Sequence, residues 1–273
     1  MIVAVAACSK QPAPPVEPEA WTCDALPFAA TTPLAEASGA AWLPDGLIVV
    51  SDSGNDGAYA ILDPETGDTR EQGKLPLGAA SDDIEGLAAR GDKLYGLTSG
   101  GWMRVWRRDG SGFALVDGPY PIGTGDMVCK ADKGNCGYNY EGLCLAPLGG
   151  DGCTGFAASK TDGHLYCLTV GEHGLVVDPA RSIAVARPKH LGDCTFGDDG
   201  TLWIGGNIFS GNAIWRVDGW RDPAHAKVVA IGNFGIGNAE VIAVRGDVLY
   251  RMSDTNSAPS LMAKFRCRPA ASR

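Results

Sequence analysis

The sequence has few histidines and no closely spaced pair of cysteines. Its 273 residues include 4 His and 9 Cys, and no two cysteines form a C-x-x-C pair. The histidines also lack ligand spacing to one another and to the cysteines; they are His164, His173, His190 and His225. Structural zinc sites are built from such pairs. The sequence therefore argues against zinc and favours histidines that are solvated or hydrogen-bonded.

Basic residues are also scarce. The chain has 23 Lys and Arg against 32 Asp and Glu, which gives a formal net charge of −9 and a pI near 4.9. Nucleic acids and anionic membranes bind basic surfaces. This charge balance therefore argues against both as partners.

Two common catalytic motifs are missing. The sequence has no G-x-S-x-G nucleophile elbow, which argues against a serine hydrolase of the α/β type. Its glycine-rich segments 123–125 and 232–237 do not open a helix, so they lack the amide cradle of a phosphate-binding loop.

No long hydrophobic run is present, since the apolar segment 1–7 is far shorter than the ~20 residues of a membrane span. The segment ends in Val5-Ala6-Ala7-Cys8, which resembles the lipobox of bacterial lipoproteins, although a basic n-region is missing. The resemblance implies a signal peptide over residues 1–7, cleavage before Cys8 and acylation of its sulfur. The alternative is an ordinary apolar N-terminus with a buried cysteine.

Residues 8–20 are proline-rich and predict an extended tether, followed by a folded domain over residues 21–273. With the lipid anchor, this organisation predicts an exported monomer. It would lie on the periplasmic face of the outer membrane or on the cell surface.

One pattern recurs five times, at intervals of ~50 residues. An acidic or hydroxyl residue opens a short apolar strand, a turn rich in Gly and Asp follows, and a second apolar strand begins. The five starting residues are Ser38, Glu85, Glu141, Asp193 and Glu240. Such self-similarity is typical of a β-propeller with one four-stranded blade per repeat. A β-sandwich is the alternative, but the shared spacing favours an all-β fold with five blades.

The fifth repeat has no fourth strand before the chain ends, and an open ring would expose a strand edge. Segment 21–30 precedes the first repeat and is free to supply that strand. We therefore expect the N-terminal strand to complete the last blade, with a disulfide from Cys23 to Cys267 joining the two ends of the chain.

An even number of cysteines remains after Cys8 and indicates disulfides in an exported chain. Cys129 and Cys136 are expected to form a local clip. Cys144, Cys153, Cys167 and Cys194 should form two further bonds, whose pairing the sequence leaves open. A hairpin register that pairs Glu141 with Phe156 would place Cys144 opposite Cys153.

The five starting residues should form a ring, because the first strand of every propeller blade lies innermost. Four carboxylates around one channel repel each other unless they are protonated or neutralised by a cation. Oxygen ligands in a wide ring suit Ca²⁺. The ring therefore predicts a calcium site formed by Ser38, Glu85, Glu141, Asp193 and Glu240. The alternative is a water-filled acidic channel with raised pKa values.

Loops between second and third strands open on the same side as the ring and gather polar side chains there. We call this surface the top face; it comprises Asp52, Asn55, Asp83, Trp102, Asn139, Lys160, Asn207, Asn238 and Asp254. An anionic ligand could bind the metal there, with Lys160 or Arg104 as the counter-charge. The alternative is that these residues only stabilise the turns in which they lie, through hydrogen bonds to the backbone.

The order of ring residues Ser38-Gly39, Glu85, Glu141, Asp193 and Glu240 resembles the calcium-dependent apyrase family. That resemblance implies a five-bladed propeller with a central Ca²⁺ and nucleoside-diphosphate hydrolysis, although Asp193 stands where that family tends to have Ser. Ser51-Asp52-Ser53-Gly54-Asn55 and Glu85-Gly86-Leu87-Ala88 resemble bacterial propellers of the SdiA-regulated and esterase-like phytase groups.

The sequence is compatible with two functions. One is a calcium-containing propeller that binds a small anionic molecule or an envelope protein on its top face. The other is a calcium-dependent hydrolase of phosphorylated or other anionic small molecules, apyrase-, phytase- or esterase-like. A hydrolase needs a general base over the metal, and the sequence singles out no such residue, so the binding function is favoured.

Overall fold

A computed structural model describes residues 21–147, 152–206, 212–256 and 259–270. Cys8, the tether and Asn207 lie outside these ranges. The fold is all-β, as predicted, with five small antiparallel sheets arranged as a five-bladed β-propeller.

Strands β1 (Trp21–Leu26) and β2 (Thr31–Ala35) precede the first complete blade. Blade 1 consists of β3 (Ala37–Leu43), β4 (Gly46–Ser51), β5 (Ala58–Leu62) and β6 (Thr69–Lys74). Blade 2 consists of β7 (Ile84–Arg90), β8 (Lys93–Thr98), β9 (Trp102–Asp109) and β10 (Gly112–Pro121). Blade 3 consists of β11 (Tyr140–Leu145), β12 (Gly155–Ser159), β13 (His164–Gly171) and β14 (Gly174–Ala184).

Blade 4 consists of β15 (Leu191–Phe196), β16 (Leu202–Gly206), β17 (Ala213–Asp218) and β18 (Lys227–Asn233). Blade 5 begins with β19 (Asn238–Arg245), β20 (Val248–Asp254) and β21 (Pro259–Pro269). Two short 3₁₀ helices, Gly125–Met127 and Pro223–His225, lie between blades 2 and 3 and before β18. In the described part of the chain, no helix is long and apolar enough to cross a membrane.

The N-terminal segment closes the ring, as predicted. Strand β1 pairs antiparallel with β21, with Cys23 opposite Cys267, and becomes the fourth strand of blade 5. Strand β2 pairs with the beginning of β21, where Thr31 lies opposite Leu261. Two strands therefore cover the edge of β21, where the sequence indicated one.

Burial falls from the channel outwards. Every residue of β4, β12 and β16 is buried, whereas β6 on the outside of blade 1 is mostly exposed. The inner strands are apolar on both faces because each blade packs between two others. Five apolar clusters result, one at each blade interface.

The disulfides follow the predicted pattern in part. Cys23–Cys267 and Cys129–Cys136 form as expected. The other four cysteines pair as Cys144–Cys194 and Cys153–Cys167.

The hairpin register that placed Cys144 opposite Cys153 is wrong. Cys144 lies opposite Phe156 instead, and its side chain packs against blade 4. The Cys144–Cys194 bond therefore joins the first strands of blades 3 and 4.

Candidate cation site at the top of the central channel

Each first strand contains a β-bulge near its start. The register shifts lie between Ala37 and Gly39, Ile84 and Gly86, Tyr140 and Gly142, Leu191 and Cys194, and Ala239 and Val241. The five ring residues that the sequence indicated all lie in these bulges. A bulge redirects a side chain out of the regular alternation, so the repeated bulge brings one polar side chain per blade towards the channel.

Glycines after three of the bulges allow neighbouring first strands to approach closely. A Cβ atom on Gly86 would lie 2.3 Å from the backbone nitrogen of Leu143, and one on Gly39 would lie 2.8 Å from that of Leu87. A Cβ on Gly142 would lie 2.7 Å from the Cα of Asp193. The close approach that these glycines permit narrows the channel at the level of the ring.

Three ring carboxylates meet at the channel. One oxygen from each of Glu85, Glu141 and Glu240 lies within 4.8 Å of the others, and all three residues are buried. We call these residues the central group. Ser38 is buried beside them, and its hydroxyl donates to Oε2 of Glu85.

Lys160 brings a positive charge to the central group. Its Nζ lies 2.7 Å from Oε2 of Glu141 and 3.8 Å from Oε1 of Glu240. The Asn139 side-chain amide donates to the other oxygen of Glu141 at 2.8 Å. Burial acts to lower the pKa of Lys160, but the neighbouring Glu141, Glu240 and Glu85 carboxylates raise it above its usual value. The ammonium is therefore held in its charged form.

A second carboxylate group shares Glu85 with the first. One oxygen from each of Asp52, Asp83 and Glu85 lies within 4.8 Å of the others. We call these residues the side group, because Asp52 and Asp83 come from loops of blades 1 and 2. Asp83 Oδ2 accepts a hydrogen bond from the Ser99 hydroxyl, whereas the buried Asp83 Oδ1 has no hydrogen-bond partner among the described residues.

The carboxyl groups around Glu85 are difficult to ionise together. Burial is the main cause that raises the pKa of Glu85 well above its ordinary value, and the Glu141, Asp52, Asp83 and Glu240 carboxylates add to it. Burial and the Asp83 carboxylate raise the pKa of Asp52 from 3.8 to about 6, against the lowering effect of the Ser53 amide. The charges that act most strongly on Glu85 are all negative, which favours a cation or a proton at this position.

Asp193 lies at the equivalent bulge of blade 4 but outside both carboxylate groups. Its Oδ1 accepts from the backbone amide of Cys194 at 2.7 Å, and its Oδ2 accepts from that of Ile242 at 3.3 Å. Burial raises its pKa, while these amides and the nearby Arg251 oppose that rise. The structure therefore places Asp193 in a backbone network that joins blades 4 and 5.

The other top-face residues mainly organise loops. Asn55 donates to the Glu36 carboxylate and to the Asp52 carbonyl, both at 3.0 Å. Trp102 Nε1 donates to the carbonyl of Cys129 at 3.0 Å. Asn238 lies opposite Asp254 at the start of β19.

Arg104 is not the counter-charge that the sequence suggested. It is buried, and its guanidinium donates to the backbone carbonyls of Leu77 and Ser81, each at 2.5 Å. Lys160, by contrast, contacts the ring carboxylates Glu141 and Glu240.

Two features that shape this site were not predicted from the sequence. The loop clipped by Cys129–Cys136 covers Asp83: the Asn135 amide donates to Ser99 Oγ at 2.7 Å, and a Cβ atom on Gly134 would lie 2.0 Å from Asp83 Oδ2. Arg251 is fully buried and donates to the carbonyls of Val241, Ala239 and Gly206 at 2.9, 2.9 and 3.0 Å. A lone arginine within the apolar strand β20 was the available sign of that role.

The opposite end of the channel is chemically different. A cavity of about 150 Å³ there is lined mainly by small and apolar side chains, among them Ala40, Trp42, Leu87, Leu143 and Phe196. Both carboxylate groups therefore lie at the top of the channel, away from this cavity.

The residues at the top fit a hard cation. Calcium binds oxygen at 2.3–2.6 Å, so ligands on opposite sides of one ion are about 5 Å apart. Both carboxylate groups satisfy that limit. The buried, partnerless oxygens Oδ1 of Asp83 and Oδ1 of Asn139 are also ligand types that Ca²⁺ accepts.

No protein-family model matches the chain, and no curated protein matches it. Solved structures are similar in fold. Glutaminyl cyclase from Myxococcus xanthus is 18% identical with a TM-score of 0.57, covering 92% of this chain and 100% of that one. The PQQ-bound aldose sugar dehydrogenase of Streptomyces coelicolor is 17% identical with a TM-score of 0.53, covering 92% and 99%. The calcium-binding protein regucalcin of Agrobacterium tumefaciens is 14% identical with a TM-score of 0.50, covering 88% and 94%. These identities support the propeller fold alone.

Proposed function

We propose that the protein is a calcium-binding β-propeller, with the ion held at the top of the channel by the carboxylates around Glu85. The position of Glu85 supports this proposal most strongly. Glu85 is buried and belongs to two carboxylate groups at once, and the charges that act most strongly on it are negative. One divalent ion would neutralise much of that repulsion.

The proposed role of the ion is to bind an anionic ligand at the top face. A protein-bound Ca²⁺ accepts 6–8 oxygen ligands, more than these side chains supply, so an anionic oxygen or water can complete its coordination. Lys160 is partly exposed beside the central group and adds a positive charge to the top face. The ligand class is therefore a small anionic molecule, or a carboxylate or phosphate group on an envelope partner.

Titration of the metal-free protein with Ca²⁺ and with Mg²⁺ in a calorimeter tests this proposal. We expect one Ca²⁺ to bind per chain and Mg²⁺ to bind more weakly, because Mg²⁺ requires a tighter octahedron. Absence of calcium binding by the wild-type protein would overturn the proposal. In that case the alternative, a water-filled acidic channel, applies.

A calcium-dependent hydrolase is the second candidate. The specific observation in its favour is that Asp52 and Asp83 lie beside the ring carboxylates, where a carboxylate could act on a metal-bound water. A screen of nucleotides, phosphate esters and lactones tests it. Turnover that a chelator abolishes and Ca²⁺ restores supports the hydrolase, whereas bound Ca²⁺ without turnover supports the binding function.

We also propose, from the sequence, that Cys8 carries a lipid anchor. The motif Val5-Ala6-Ala7-Cys8 and the proline-rich segment after it support this proposal. Cys8→Ser should then move the protein from the membrane fraction into the soluble envelope fraction. Unchanged membrane partitioning of the variant would contradict the anchor.

A further inference from the structure

The two carboxylate groups at the top of the channel differ in how the chain itself neutralises them. Lys160 Nζ contacts Glu141 at 2.7 Å and lies 3.8 Å from Glu240. Within the described ranges of the chain, no basic side chain forms an ion pair with Asp52, Asp83 or Glu85. The central group therefore has an internal cation, and the side group has none.

The buried Asp83 carboxylate supplies a second observation in favour of the side group. Asp83 is 2% exposed, and within the part of the chain that the structure describes its Oδ1 has no hydrogen-bond partner. A buried carboxylate oxygen without a donor is costly, so native structures rarely leave one unmatched. The Ser99 hydroxyl and the loop at Gly134 fix the other oxygen of this side chain, which leaves Oδ1 available to a ligand.

We propose that the calcium ion binds to the side group, between blades 1 and 2, and that the Lys160 ammonium fills the cation position of the central group. This inference rests on the proposed function and locates its ion away from the propeller axis. Asp52, Asp83 and Glu85 supply the protein ligands. Asp52 is only partly buried, so its side of the ion is the one open to an anionic ligand.

The charges support this division. A Ca²⁺ beside three carboxylates leaves the side group with one net negative charge, and Lys160 with Glu141 and Glu240 leaves the same net charge. Placing the ion beside Lys160 would instead set two cations against each other and leave Asp52 and Asp83 without any counter-charge. Separate cations for the two groups give the lower electrostatic energy.

Calorimetric titration with Ca²⁺ of the metal-free wild type and three variants tests the inference. Asp83→Asn and Glu141→Gln are a matched pair, since each removes one charge from a group that contains Glu85 and keeps the shape of the side chain. We expect Asp83→Asn to weaken calcium binding by at least about tenfold and Glu141→Gln by no more than about threefold, because ligand charge sets affinity. Lys160→Met should bind two ions per chain, because the central group then lacks its own cation.

The outcomes separate this inference from the proposed function. If Glu141→Gln loses the ion and Asp83→Asn keeps it, the ion lies on the axis: this inference is overturned and the proposed function stands. If Lys160→Met still binds one ion, Lys160 does not occupy a cation position. If the wild type binds none, both proposals fail together. Melting curves in chelator check that each variant is folded.

Discussion

Glu85 and Asp193 lie at equivalent bulges of blades 2 and 4, and both are buried carboxylates, yet their surroundings differ completely. Asp193 accepts hydrogen bonds from two backbone amides and lies near Arg251. Glu85 accepts from the Ser38 hydroxyl and is otherwise surrounded by carboxylates. The same position in a repeat therefore joins two blades on one side of the channel and adds to a group of carboxylates on the other, and each side can be tested separately.

The largest expected effect is on the Asp193 side. Asp193→Ala leaves the amides of Cys194 and Ile242 buried without this acceptor and removes the carboxyl group that acts most strongly on Arg251. We expect the free energy of unfolding to fall by about 3 kcal/mol and the melting temperature by roughly 10 °C. Scanning calorimetry with calcium and with chelator measures both. A loss seen only with calcium would instead make Asp193 a ligand of the ion.

The next largest effect is expected from removing calcium from the carboxylates around Glu85 in the wild-type protein. Removing calcium with a chelator at neutral pH should lower the melting temperature by about 5 °C, since a ligand at 100 times its dissociation constant stabilises by about 2.7 kcal/mol. The stabilities with calcium and with chelator are compared by thermal unfolding. Identical melting curves with calcium and with chelator would show that protons or Lys160 alone relieve the repulsion around Glu85.

Acidification should reduce the difference in melting temperature between the calcium-bound and the metal-free protein. The pKa values of Asp52 and Glu85 are raised in the folded, metal-free protein, the former from 3.8 to about 6. Between the unfolded and folded pKa values the folded state binds more protons, so the metal-free protein loses stability as pH rises through that window. The calcium-bound protein should instead lose stability as pH falls, because protons compete with the ion. Melting temperatures from pH 4 to pH 8, with and without calcium, measure both slopes.

A smaller effect is expected from neutralising Glu85. In chelator, Glu85→Gln should raise the melting temperature by about 3 °C, because a neutral amide avoids the cost of ionising or protonating a carboxyl in a crowded group. Glu141→Gln is the matched control and should give a smaller gain, since burial raises the pKa of Glu141 but its partner Lys160 opposes that rise. Equal gains from the two variants would contradict the division between the side and central groups.

The smallest effect concerns the loop over Asp83. Gly134→Ala should weaken calcium binding by about threefold, because the new methyl group displaces a carboxylate that must be held accurately. Gly112→Ala on β10 is the control, since its Cβ would meet no heavy atom closer than 4.0 Å. Calorimetry on both variants compares their affinities. Equal affinities would show that the loop does not position Asp83.

Much of the fold could be predicted because it repeats. Each blade has the same order of acid, apolar strand, turn and second strand, so five weak local signals support one architecture. The missing fourth strand of blade 5 then required the N-terminal segment. Cys23 and Cys267 followed from that closure, since they lie on the two strands that it pairs.

The site could be predicted only as a set of positions. Which carboxylate meets which partner depends on bulges and loops that connect distant blades. Asp193 turns to the amides of Cys194 and Ile242, and Lys160 reaches across to Glu240, contacts that no local pattern encodes. The pairing of Cys144 with Cys194 could not be predicted either, because it depends on how blades 3 and 4 pack.

The central claim is that the carboxylates around Glu85 bind a calcium ion. Equilibrium dialysis of the metal-free protein against radioactive Ca²⁺, for the wild type and Glu85→Gln, tests it most directly because Glu85 belongs to both carboxylate groups. We expect one bound calcium per wild-type chain and a large loss of binding in the variant. Equal binding by the two proteins, or no calcium on the wild type, would contradict it.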